Sequence, residues 1–164
     1  MSRRRTAVRS GLAACAVVAL VGVAGCDSSD DDDPYAIPER FQDYCEEVEA
    51  RQVQISDALA SGGQASGLIQ ALPSFEALAA KSPDDISDDW EIVVERIHDL
   101  VDALEAAGVD PDTYDRRHPP PGLDADEKAA IDAAATALVS VTTGRAMSSV
   151  QQQARDVCKT PLAP

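Results

Sequence analysis

Aromatic residues are scarce in this chain: they make up 4% of its 164 residues, with one Trp, three Tyr and two Phe. That scarcity argues against a β-sandwich core and against a carbohydrate-stacking surface. An Ala- and Leu-rich background favours helices packed closely through small side chains. Basic residues are also few, 14 against 29 acidic ones, for a formal net charge of −15. Such a surface repels phosphate backbones and anionic headgroups, so no nucleic-acid partner is expected. Two histidines leave little for acid–base or metal chemistry. No nucleophile elbow, Walker loop, zinc-protease motif or paired-carboxylate signature occurs. The chain is therefore read as non-enzymatic, with no cofactor and no metal site.

What is present is concentrated at the start. Residues 1–25 hold four arginines (Arg3, Arg4, Arg5, Arg9) and no acid, which leaves ten basic residues against 29 acidic ones beyond them, a formal charge of −19. The basic stretch leads into an apolar run, Leu12 to Ala24, of 13 residues, too short as a helix of about 20 Å to span a bilayer comfortably. This is the layout of a secretory signal. Arg3-Arg4-Arg5 suits general secretion and is also compatible with twin-arginine export, although the residues after it are weakly hydrophobic for the latter. The run ends in Val23-Ala24-Gly25-Cys26. That tetrapeptide resembles the lipobox of bacterial lipoproteins: an aliphatic residue, two small ones, then cysteine. The resemblance implies cleavage between Gly25 and Cys26 and attachment of diacylglycerol to Cys26 Sγ. It also implies a lipid-anchored domain on the extracytoplasmic face of the cell membrane.

The four cysteines sort by position. Cys15 lies in the discarded run and Cys26 is taken by lipid. Cys45 and Cys158 remain, an even pair in an oxidising compartment, and are expected to form one disulfide. With no CxxC and no nearby His, a metal pair is disfavoured.

Residues 26–37 read as an acidic disordered tether, since Asp27-Ser28-Ser29-Asp30-Asp31-Asp32-Asp33 is apolar-free and self-repelling. Residues 38–160 read as the helical domain. A first helix is expected over about Glu39 to Ala60, entered through Pro38 and ended by Gly62-Gly63, with Phe41, Tyr44, Cys45, Val48, Ile55 and Leu59 facing inward. A second is expected over about Gln64 to Lys81, with Pro73 kinking it or splitting it in two. A third is expected to be capped by Ser82, with Pro83 as its first residue. Its seam is Ile86, Trp90, Val93, Ile97, Leu100 and Leu104, and Gly108 closes it. A fourth starts at Asp124 with Glu127 as capping-box partner and runs to Cys158, with a weak spot at Thr142-Thr143-Gly144. Short turns favour antiparallel neighbours, so the expected fold is all-α, an up-down-up-down four-helix bundle that brings Cys45 and Cys158 to one end.

Two polar constellations stand out. Glu95 and His98 have the Glu-x-x-His spacing of di-iron bundles, but no second copy exists and the seam at Ile97 turns both toward the flank. Arg116-Arg117-His118 is the one basic island. It can dock an anionic group, or it can neutralise Asp110, Asp112 and Asp115, which is the favoured reading.

The layout from about residue 41 to 158 resembles small actinobacterial secreted lipoproteins. The likeness rests on the cysteine in the first helix, Ser82-Pro83-Asp84-Asp85-Ile86-Ser87-Asp88-Asp89-Trp90, and the cysteine ending the last helix. It implies fold and address and brings no activity with it. The leading expectation is an interaction or scaffold module that meets an unidentified envelope protein. The alternative is a carrier of an apolar or metal-containing small ligand in the bundle interior.

Overall fold

In the computed structural model, residues 36–61 and 63–163 are described, and they belong to one unit, Tyr35–Pro164. Gly25, Cys26 and most of the expected tether lie outside the described residues. Those described are all-helical, with no strand among them: α1 (Gln42–Ser61), α2 (Gly63–Ala79), α3 (Ser87–Ala106), α4 (Ala125–Leu138) and α5 (Val141–Asp156), plus short 3-10 turns at Glu39–Phe41 and Pro111–Thr113. α1 packs on α2, α2 on α3, and α3 on both α4 and α5.

The centre of the core is the α3 seam. Trp90, Val93, Ile97, Leu100 and Leu104 are each 0% exposed, as a stripe spaced by threes and fours requires when one face meets several neighbours. The helix ends as its sequence predicts. Gly108 takes φ +65°, the Val109 N–H donates to the Leu104 carbonyl and the Gly108 N–H to that of Glu105, a Schellman stop. Its start differs from expectation. Ser82 Oγ donates back to the Ala79 carbonyl at 2.8 Å and so finishes α2 instead of capping α3. A turn from Pro83 to Ile86 follows, and α3 begins at Ser87 with no side-chain cap.

α2 is one continuous helix through Pro73, so the expected break into two pieces does not occur. Pro73 is exposed while Leu72, Ser74 and Phe75 beside it are buried, so the packing of its neighbours offsets the lost backbone bond. The close approach of α1 and α2 depends on Gly67. A Cβ there would stand 2.9 Å from the Ala58 carbonyl oxygen and 3.1 Å from Leu59 Cα. Both are backbone atoms, so the helices would have to part. G67A is expected to lower stability by about 1–3 kcal/mol despite alanine's better helix propensity. Urea unfolding checks this, and an unchanged or raised midpoint would refute the contact.

The expected fourth helix is two. α4 opens on the predicted capping box, with Asp124 Oδ1 accepting from the Asp126 and Glu127 N–H groups and Glu127 Oε2 accepting from the Asp124 N–H. It ends at Leu138, and Ser140 caps a fresh helix by accepting from the Thr143 N–H. The break precedes the expected weak spot and resets the phase. Val141 is 71% exposed, while Thr143, Ala146, Val150 and Ala154 are buried. Buried Thr143 is satisfied, since its hydroxyl donates to the Ala137 carbonyl at 2.9 Å.

The Cys45–Cys158 disulfide is formed, joining the start of α1 to the residues just past α5, with Cα atoms 5.0 Å apart. Beyond it the chain stays docked: Gln52 Nε2 donates to the Pro161 carbonyl at 2.9 Å, and Leu162 is buried. Glu47 on α1 ties down the turn after α2, accepting from Lys81 Nζ and Arg51 Nε at 2.7 Å each. Those bonds, Lys81's first, hold its carboxyl below the usual carboxylate range.

Candidate functional site

The two histidines go to different partners. His98 on α3 reaches across to Glu76 on α2, with Nε2 to Oε1 at 2.8 Å, and Glu95 pairs with Arg96. Glu95 and His98 therefore do not converge. Among the described residues no three of His, Cys, Asp and Glu gather as a metal site, and no helix is long and apolar enough to cross a membrane.

The loop between α3 and α4 carries the basic island and borders two open clefts. Asp110 starts its 3-10 turn by accepting from the Asp112 N–H. Tyr114 then turns its ring inward to 5% exposure, and burial pushes its phenol pKa up. With that anchor the loop stands off the helices and leaves an open cleft on either side. One, of about 420 Å³, lies toward the end of α3 and is lined by Val109, Tyr114, His118, Pro120, Leu123 and Glu127. The other, of about 540 Å³, lies toward α2 and α4, between Ser66 and Gln70 on one side and Asp112 to Arg117 on the other.

The island splits in function. His118 Nδ1 sits 2.8 Å from Asp115 Oδ2, and the Arg117 backbone N–H donates to Asp115 Oδ1 at 2.8 Å. These two bonds, the histidine's first, hold the Asp115 carboxyl below its ordinary range. Of the island's side chains, His118 alone meets one of the loop's aspartates, Asp115. The Arg116 and Arg117 guanidinium groups form no ion pair within the described residues. Elsewhere Arg51, Lys81, Arg96 and Lys128 each hold a carboxylate, whereas Arg40, Arg145, Arg155 and Lys159 hold none among the described residues. No sequence signal distinguished these fates, because pairing depends on how the loop turns.

A separate apolar hollow of about 160 Å³ opens at the break between α4 and α5, lined by Leu68, Val93, Ile97, Leu138, Val139 and Met147 among others. Beside it Val139 and Val141 are 60% and 71% exposed.

No family model matches the chain, and neither a curated protein nor a solved structure matches it.

Proposed function

We propose that this chain is a lipid-anchored module on the extracytoplasmic face of a bacterial membrane that binds another envelope component and performs no chemistry of its own. The carrying observation is Val23-Ala24-Gly25-Cys26 at the end of a basic-then-apolar leader. The Cys45–Cys158 bond supports it, because a disulfide between two buried cysteines suits an oxidising compartment. The acidic surface supports it too: with a formal charge of −19 beyond Gly25, electrostatic adhesion to anionic lipid is unfavourable and attachment falls to Cys26. Membership of the small actinobacterial lipoproteins rests on the Ser82–Trp90 segment and the cysteine spacing. As to architecture, α4 and α5 are read as one interrupted rod, so that four rods alternate up and down.

The C26S variant is expected to leave the membrane fraction and appear soluble. Retention that only detergent releases would overturn the anchor. For the interaction itself, crosslinking in intact cells is expected to trap a defined adduct with an envelope component. The absence of any adduct beyond that formed by the C26S protein would count against a docking role at the membrane.

A further inference from the structure

The cleft of about 540 Å³ between α2, the 112–117 loop and the end of α4 has the size of small-molecule sites. Its composition is specific. Ala65, Ala135 and Leu138 supply an apolar portion, with Ala135 and Leu138 themselves buried. Gln70 and Thr113 add polar groups, the Gln70 side-chain oxygen accepting from Ser61 and the Thr113 hydroxyl donating to the Asp110 carbonyl. Charges of both signs stand on the rim: Arg116 and Arg117, and Asp112 and Asp115.

Their states differ. Asp115 is engaged by His118 and by the Arg117 backbone N–H. Arg116 and Arg117 form no ion pair among the described residues, as is also true of Arg40, Arg145, Arg155 and Lys159, but these two line the cleft. The Asp112 backbone N–H is held by Asp110, while its own carboxylate has no hydrogen-bond partner among the described residues. The rim therefore offers guanidinium forks suited to a carboxylate and, on the same loop, a carboxylate suited to an ammonium, above an apolar patch. A purely anionic ligand would be opposed by Asp112 and a purely cationic one by the arginines.

We infer that this cleft binds a short peptide by its free ends. The terminal carboxylate goes to Arg116 and Arg117, the terminal ammonium goes to Asp112, and an aliphatic side chain lies against Ala65 and Leu138. This inference does not depend on the lipid anchor, and its test reads binding alone.

The probe is the tripeptide Ala-Leu-Ala, titrated into the intact protein by NMR and calorimetry beside its N-acetylated form, its C-amidated form and free leucine. Saturable shifts are expected at the amides of Gln70, Thr113 and Arg117. Affinity is expected to fall about tenfold or more for the amidated peptide and for R116Q/R117Q, as loss of a charge-assisted pair implies, and by a similar factor for the acetylated peptide and D112N. R116K/R117K is expected to recover part of the loss, since charge remains while the fork does not. These side chains are exposed, so an unchanged melting temperature shows that the variants fold. Free leucine binding as tightly as the tripeptide would reassign the cleft to amino acids and overturn the peptide. No saturable shift into the millimolar range, or equal affinity for free and capped peptides, would overturn the site.

Discussion

Reducing the Cys45–Cys158 bond, or replacing both cysteines as C45S/C158S, is expected to lower the unfolding free energy by about 3–5 kcal/mol. The sequence separation is 113 residues, so the bond closes nearly the whole domain into one loop and removes much of the freedom of the unfolded chain. For a domain of this size the loss corresponds to a melting temperature lower by about 10–25 °C. The effect has a local signature. The segment after α5 is held by the disulfide, the Gln52–Pro161 hydrogen bond and the burial of Leu162. Amides from about Val157 onward are expected to lose hydrogen-exchange protection first on reduction. Thermal unfolding with and without reductant measures the first effect, and a shift under about 1 kcal/mol would show that the ends are secured without the bond. Both cysteines are replaced together so that no single buried thiol is left to cross-link two chains.

Trp90 carries the second large effect. It is 0% exposed, its ring lies 5.7 Å from that of Phe75 on α2, and its Nε1–H donates to Tyr44 Oη on α1 at 3.1 Å. One side chain thus holds three helices together. W90A is expected to cost about 3–5 kcal/mol. Y44F keeps the ring and leaves the indole N–H unpaired, at a cost of about 1–3 kcal/mol. Denaturant unfolding followed by circular dichroism measures both, and losses under about 1 kcal/mol would place Trp90 outside the core's energetic centre. The pair also predicts an alkaline limit. Burial, opposed by the Trp90 hydrogen bond and reinforced by Asp85, pushes the Tyr44 phenol from 10.0 up to about 12. The folded state therefore holds that proton more tightly than the unfolded one. Its contribution is fully present below pH 10 and is lost as pH rises toward 12. The wild type is expected to lose stability across that window, and Y44F to lose less. Some slope should remain in Y44F, because Tyr114 is shifted in the same direction.

Several features were legible because their causes are local. The α3 seam repeats at a period the helix itself imposes, Gly108 supplies a backbone angle other residues resist, and Asp124 and Glu127 are three apart and cap each other. The disulfide was legible because position disposed of the other two cysteines. Where the reading failed, either a distant partner or a competing local bond decided. Pro73 is tolerated because Leu72 and Phe75 beside it are buried by other helices. Ser82 turned back to Ala79 although it stood correctly placed to cap α3. The split after Leu138 arises because Ser140 can cap a new helix, and the core then accepts Ala146, Val150 and Ala154 in the shifted phase. Gly67 offered no signal at all, since its role is set by the Ala58 and Leu59 backbone on another helix.

The sequence by itself determined the all-helical class, the central seam, the cysteine pair and the acidic balance, because periodicity, capping and charge are properties of neighbours along the chain. Tertiary structure alone decided which face the chain buries after the break at Ser140, and that His118 takes Asp115 while Arg116 and Arg117 do not. It also decided that the loop, anchored by buried Tyr114, leaves a cleft between them and α2. Those outcomes depend on which groups the packed helices bring within reach of one another, a quantity no stretch of chain contains on its own.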